Sequence, residues 1–82
     1  MTADTQSLDF HRCDPACNMA RFYRLGVTRD LFGQIVIVRQ WGRIGTSGRQ
    51  MTEAMPNYEA AALRVRLLAE GKQRRGYRPA VG

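Results

Sequence analysis

Arg39, Trp41 and Arg43 fall at every second position of residues 34–45, QIVIVRQWGRIG, so on a strand their side chains share one side. An indole between two guanidinium groups offers a flat ring for stacking and two planar, permanently charged donors. That combination suits sugars, bases and phosphates. The same trio has a purely structural use, in which a lone Trp anchors a core and arginine stems cover its edges. His11, Cys13 and Cys17 form the other cluster with chemical potential. Structural zinc needs four ligands, and this chain has no further Cys or His to complete a set, so no metal is expected. The two cysteines read as reduced, incidental thiols.

Catalysis is the reading most readily set aside. The sole histidine, His11, lies in a loose segment, and no acid pair is spaced for proton transfer. Residues 45–48, GTSG, form a turn rather than a phosphate cradle, because no helix starts directly after them. Neither an enzyme nor a cofactor is expected.

Eighty-two residues allow one domain with a thin core. The net charge of +6 is uneven: residues 1–20 carry about −2 and residues 21–82 about +8. Twelve of the thirteen basic residues are arginine, which favours planar contact with phosphate or carboxylate, although a GC-rich genome enriches arginine for no functional reason. No apolar run approaches the roughly 18 residues that span a bilayer. Residues 1–14 lack the basic start and apolar stretch of a secretory signal, so no membrane partner and a cytoplasmic setting are expected.

The elements that must hold the trio follow from pattern. Four β-branched residues, Ile35, Val36, Ile37 and Val38, make residues 34–45 the central strand. Counting by two puts Ile35, Ile37, Arg39, Trp41 and Arg43 on one side and Val36, Val38, Gln40, Gly42 and Ile44 on the other. The second set reads as core, with Gly42 leaving room for the indole or a close backbone approach. Residues 1–17 read as a polar lead-in, either disordered or lying along a sheet edge.

Residues 19–28 read as a strand that pairs with the central one as a hairpin, with Arg24 and Phe22 on one side and Arg21, Tyr23, Leu25 and Val27 on the other. Residues 29–33 form the connecting loop, Leu31 and Phe32 folding back as a lid. The glycine turn leads into a third strand at residues 49–55, of edge character, ended by Pro56-Asn57.

Asn57 then caps a helix whose buried face carries Tyr58, Ala61, Ala62, Val65, Leu68 and Ala69, widened by Leu63 and Leu67. Gly71 is tolerated inside it and Gly76 stops it, with Tyr77 folding back onto the body. Residues 79–82 read as a tail. The fold class is α+β: an antiparallel sheet of three or more strands with one long C-terminal helix packed on a face.

The ordered set RFYRL, LFG, RQWGRIG, a glycine turn, a strand and a basic helix ending KQRRGY resembles the WGR domain over residues 18–77. The likeness is to the stand-alone bacterial form. It implies a small curved antiparallel sheet plus helix. It also implies a role akin to that of the module in DNA-damage-activated poly(ADP-ribose) polymerases, which contacts DNA near a strand break and neighbouring domains. By position, Trp41 would press on a terminal sugar or base. Arg43 would reach phosphate or a partner domain, with Arg39 beside it. A relay to catalytic or zinc-finger domains is not expected within this chain.

The leading expectation is a non-catalytic nucleic-acid-binding module, for DNA above RNA. It would be sequence-indifferent and prefer ends or single strands, with Trp41, Arg43, Arg39, Arg24 and Arg49 as binding residues. The alternative is a protein-interaction module that uses the same face for an acidic partner or a second copy, without binding nucleic acid directly.

Overall fold

A computed structural model describes residues 6–80 of the chain. Five strands form one open antiparallel sheet in the order β4-β3-β2-β1-β5: β1 Gln6–Asp14, β2 Met19–Arg29, β3 Ile35–Arg43, β4 Arg49–Met55 and β5 Arg78–Pro79. Among the described residues one α-helix, α1, runs from Tyr58 to Arg74, between β4 and β5 in chain order, and a short 3-10 turn at Pro15–Cys17 joins β1 to β2. The expected central and third strands, the hairpin between β2 and β3 and the helix are all present. Asn57 caps α1 through its side-chain oxygen, which accepts from the Ala60 amide at 2.8 Å.

The core lies on the side of the sheet that carries Phe10, Tyr23, Leu25, Val27, Ile35 and Ile37, and it includes Ala61 and Tyr77. Val65, Leu68 and Ala69 of α1 pack against that cluster, as does Trp41. This reverses the expected assignment of β3. Ile35 and Ile37 are buried, whereas Val36, Val38, Gln40 and Gly42 are only half-buried and Ile44 is exposed. Pairing decides the matter. Val27 of β2 stands opposite Ile37 and Tyr23 opposite Trp41, so the larger apolar residues of both strands converge on one face.

Of the two readings of the lead-in, residues 6–14 follow the second and lie along the sheet as a full strand: β1 pairs with β2 from Gln6↔Val27 to Asp14↔Met19. Residues 1–5 of that lead-in, and residues 81–82 of the expected tail, lie outside the described residues. Two further expectations are corrected. Leu31 and Phe32 form no lid, since they are 100% and 93% exposed. On α1, Leu63, Leu67, Tyr58 and Ala62 are exposed, and only Ala61 is fully buried.

Candidate nucleic-acid interface

The strand register builds two rows of side chains across the helix-bearing face. In the first, Phe10, Tyr23, Trp41 and Arg49 lie side by side on β1, β2, β3 and β4. In the second, Arg12 is opposite Arg21 and Arg21 is opposite Arg43. Side chains directly opposite one another have Cβ atoms about 4.5–5.5 Å apart. Three guanidinium-bearing residues therefore stand shoulder to shoulder. Among the described residues, no carboxylate pairs with any of the three. Asp14 lies on the same strand face as Arg12, but its side chain accepts from the Ala16 amide at 3.1 Å.

A cleft of about 440 Å³ opens between these rows and the end of the helix, with Arg21, Arg43, Trp41, Lys72, Tyr77 and Cys17 in its lining. Trp41 is half-buried: part of the indole packs on the core and part forms the cleft wall. The Lys72 ammonium lies 4.4 Å from the Tyr23 ring centroid and 5.2 Å from that of Tyr77. Burial holds the Lys72 amine below the usual lysine range, and the neighbouring charges of Arg75, Arg39 and Arg21 push it the same way.

Arg39 shares the face but has a different task. It donates to Glu53 Oε2 at 2.8 Å and to Tyr23 Oη at 3.1 Å, with its guanidinium carbon 6.0 Å from the Trp41 ring centroid. Arg64 of α1 donates to Glu53 Oε1 at 3.1 Å, so one carboxylate ties β3, β4 and the helix together. The hydrogen bond from Arg64 is the main cause that holds Glu53 below the usual carboxylate range; burial opposes it and the bond from Arg39 adds to it. Burial lowers the affinity of Arg39 for its proton, but its bonds to Tyr23 and Glu53 outweigh that, and the net shift is upward.

The turn after β3 fixes where Arg43 sits. The Arg43 carbonyl accepts from the Thr46 amide at 3.0 Å and from the Thr46 hydroxyl at 2.8 Å. Gln40 braces the turn by donating to the Ser47 carbonyl at 2.8 Å. Gly42 and Gly48 permit a close approach: a Cβ on Gly42 would stand 2.6 Å from Gly48 Cα, and one on Gly48 would overlap the Trp41 carbonyl. With φ at +68°, Gly48 also adopts a conformation that other residues rarely take.

Of the five residues expected at the site, Trp41, Arg43, Arg39 and Arg49 share one face, and Arg24 does not join them. Arg24 lies on the opposite, open face, where its Nε donates to Asp9 Oδ1 at 2.6 Å. Sequence reasoning missed Arg12, Arg21 and Lys72. The strand split had put Arg21 with Tyr23, yet without β1 and a register its row could not be drawn. Cys13 and Cys17 are exposed thiols. No group of His, Cys, Asp or Glu among the described residues is placed to hold a metal ion, and no helix there is long and apolar enough to cross a membrane.

The family model for the WGR domain matches residues 6–82. The chain belongs to the WGR domain family. WGR domains are non-catalytic modules of nucleic-acid-binding type. A relative in Sinorhizobium fredii, uncharacterized protein y4dW, is 40% identical over 79 residues, which cover 96% of this chain. That match covers 39% of the relative, so the chain corresponds to about two fifths of its length. No solved structure matches this chain significantly. The matched region of the WGR model includes β1, which the sequence resemblance had left out.

Proposed function

We propose that this WGR domain binds DNA without sequence preference, favouring ends and single-stranded segments, through the face that carries Trp41 and Arg43. The row Arg12, Arg21, Arg43 is the observation that carries the reading. Like charges directly opposite on neighbouring strands are destabilising. With no carboxylate paired to them among the described residues, Asp14 being engaged with the Ala16 amide, their mutual repulsion is relieved when a polyanion settles on the row. Contacts to phosphate position a protein without reading bases, which accounts for indifference to sequence.

Trp41 borders the row and offers its accessible edge to a terminal sugar or an unstacked base. Arg49, beside Trp41, and Lys72, across the cleft, extend the positive surface. Arg39 acts by holding the frame, because Glu53 already takes its charge. Arg24 has no part on this face.

A gel-shift panel of single-stranded, duplex and nicked DNA, together with RNA, tests the reading at low salt. Binding that is strongest on free ends or single strands supports it. No binding to any of the four overturns it. In that outcome the Arg–Trp face is left to the alternative, a protein partner, since both residue types are enriched at protein hot spots.

A further inference from the structure

The tip of the β2–β3 hairpin carries the two most exposed apolar side chains among the described residues, Leu31 at 100% and Phe32 at 93%. They are not displayed by a slack loop. Asp30 Oδ1 accepts from the amides of Phe32 and Gln34, both at 2.9 Å, and the Asp30 carbonyl accepts from the Gly33 amide at 3.0 Å. The Asp30 amide donates to the Gln34 carbonyl at 2.9 Å and closes the turn. The result is a braced apolar peg, costly to leave in water.

The same molecule carries a matching recess. A groove of about 450 Å³ runs between α1 and the sheet, lined chiefly by Leu8, Val27, Tyr58, Ala62, Val65 and Ala69. Its upper end adjoins the base of the peg: Val27 is two residues before Arg29, whose guanidinium lies 5.5 Å from the Tyr58 ring centroid. The peg does not fill this groove in its own chain, since both its side chains are in solvent.

We infer that the occupant of the groove is the Leu31–Phe32 tip of a second copy, in a two-fold dimer with reciprocal exchange of tips. A two-fold interface requires one self-complementary patch on each subunit, and a peg adjoining its own recess is such a patch. A Leu–Phe pair seated in the groove covers about 350 Å² of its own surface and a smaller area of groove, so two reciprocal seatings bury on the order of 900 Å², the size of a weak, concentration-dependent interface. Charges of both signs flank the contact, Arg29 and Asp30 being neighbours at the base of the peg. The rim pair Arg66–Glu70 is internally compensated at 3.6 Å. The row Arg12, Arg21, Arg43 is eight strand residues from the Arg29↔Ile35 pair, or about 26 Å, well beyond the ~8 Å screening length at physiological salt.

That distance also separates the tip from the proposed DNA face, so the dimer stands or falls independently of the binding reading.

Sedimentation velocity from micromolar to millimolar concentration tests the dimer, on the wild type, the Leu31→Ser/Phe32→Ser double variant and the groove variant Ala62→Arg. The tip side chains are almost wholly in solvent, so the double variant is expected to keep its fold, and circular dichroism checks both variants. The wild type is expected to dimerise with rising concentration. Each variant is expected to weaken the dimer at least tenfold. An equimolar mixture of the two restores partial dimer, because one peg and one groove remain. A wild type that stays monomeric up to millimolar concentration overturns the inference, including the case where the tip instead binds neutral lipid vesicles. A dimer indifferent to both variants overturns it as well.

Discussion

Arg21 of β2 stands directly opposite Arg43 of β3, with Arg12 of β1 on its other side, and no carboxylate among the described residues pairs with any of them. Such a row costs the isolated domain stability. Arg21→Gln, which keeps the stem and removes the middle charge, is expected to raise stability without ligand by about 0.2–1 kcal/mol. Thermal unfolding at low salt checks it, and the gain should shrink as salt screens the row.

Trp41 joins core and cleft, so its replacement should be felt in both. Trp41→Ala is expected to destabilise by about 2 kcal/mol, less than the ~3–5 of a fully buried tryptophan, because part of the ring faces the cleft. If the accessible edge stacks on a terminal sugar or base, affinity for single-stranded DNA falls by a further ~1–3 kcal/mol. Denaturant titration and binding isotherms separate the two effects.

Glu53 links three elements through Arg39 and Arg64. Its carboxyl is held below its ordinary value in the folded chain, so the stability it contributes is present above the unfolded value. That stability is lost as pH falls through the lower, folded one. Glu53→Gln is expected to cost about 1–2 kcal/mol at neutral pH and to flatten the acid limb of a stability–pH curve below about pH 4.5. Urea unfolding at several pH values is the measurement.

Lys72 titrates below the usual lysine range because of burial and the cations around it. An anion seated in the cleft opposes those cations, so binding should raise the Lys72 value and draw in a proton at alkaline pH. An NMR titration of the lysine side chain with and without a short oligonucleotide reads this directly. An unmoved titration curve would place the ligand elsewhere.

Gly48 permits the contact between the turn and the Trp41 carbonyl. Gly48→Ala would set a Cβ against backbone at a φ of +68° and is expected to cost more than about 2 kcal/mol. Gly33→Ala, at a φ of +79° but with open space around it, should cost about 1 kcal/mol. Melting temperatures of the two variants would rank them.

Local chemistry was legible in the chain wherever it acts over a few residues. The β-branched run of β3, the GTSG turn and the Asn57 cap each have a short-range cause and lie where the pattern put them. What depends on partners distant in sequence was not legible. Alternation along β3 alone cannot tell which face is core, and the Val27↔Ile37 pairing that settles it lies across the hairpin. β1 hid because Leu8 and Phe10 are its sole apolar alternation among polar neighbours, and it is held by pairing with β2 along its length. Leu31 and Phe32 looked like a lid because apolar side chains are expected to find cover, and Asp30 holds them away from it. The arginine row needed both the missing strand and the register, so three individually unremarkable arginines become a site only when the sheet is assembled.

The most direct test is the salt dependence of DNA affinity for the wild type and for the Arg21→Ala and Arg43→Ala variants. Each arginine that neutralises a phosphate adds about 0.7–0.9 to the slope of log affinity against log salt. The slope should therefore fall by about that amount in each variant, whatever the DNA sequence. A wild-type slope near zero, or slopes unchanged in both variants, would contradict the row as the binding surface.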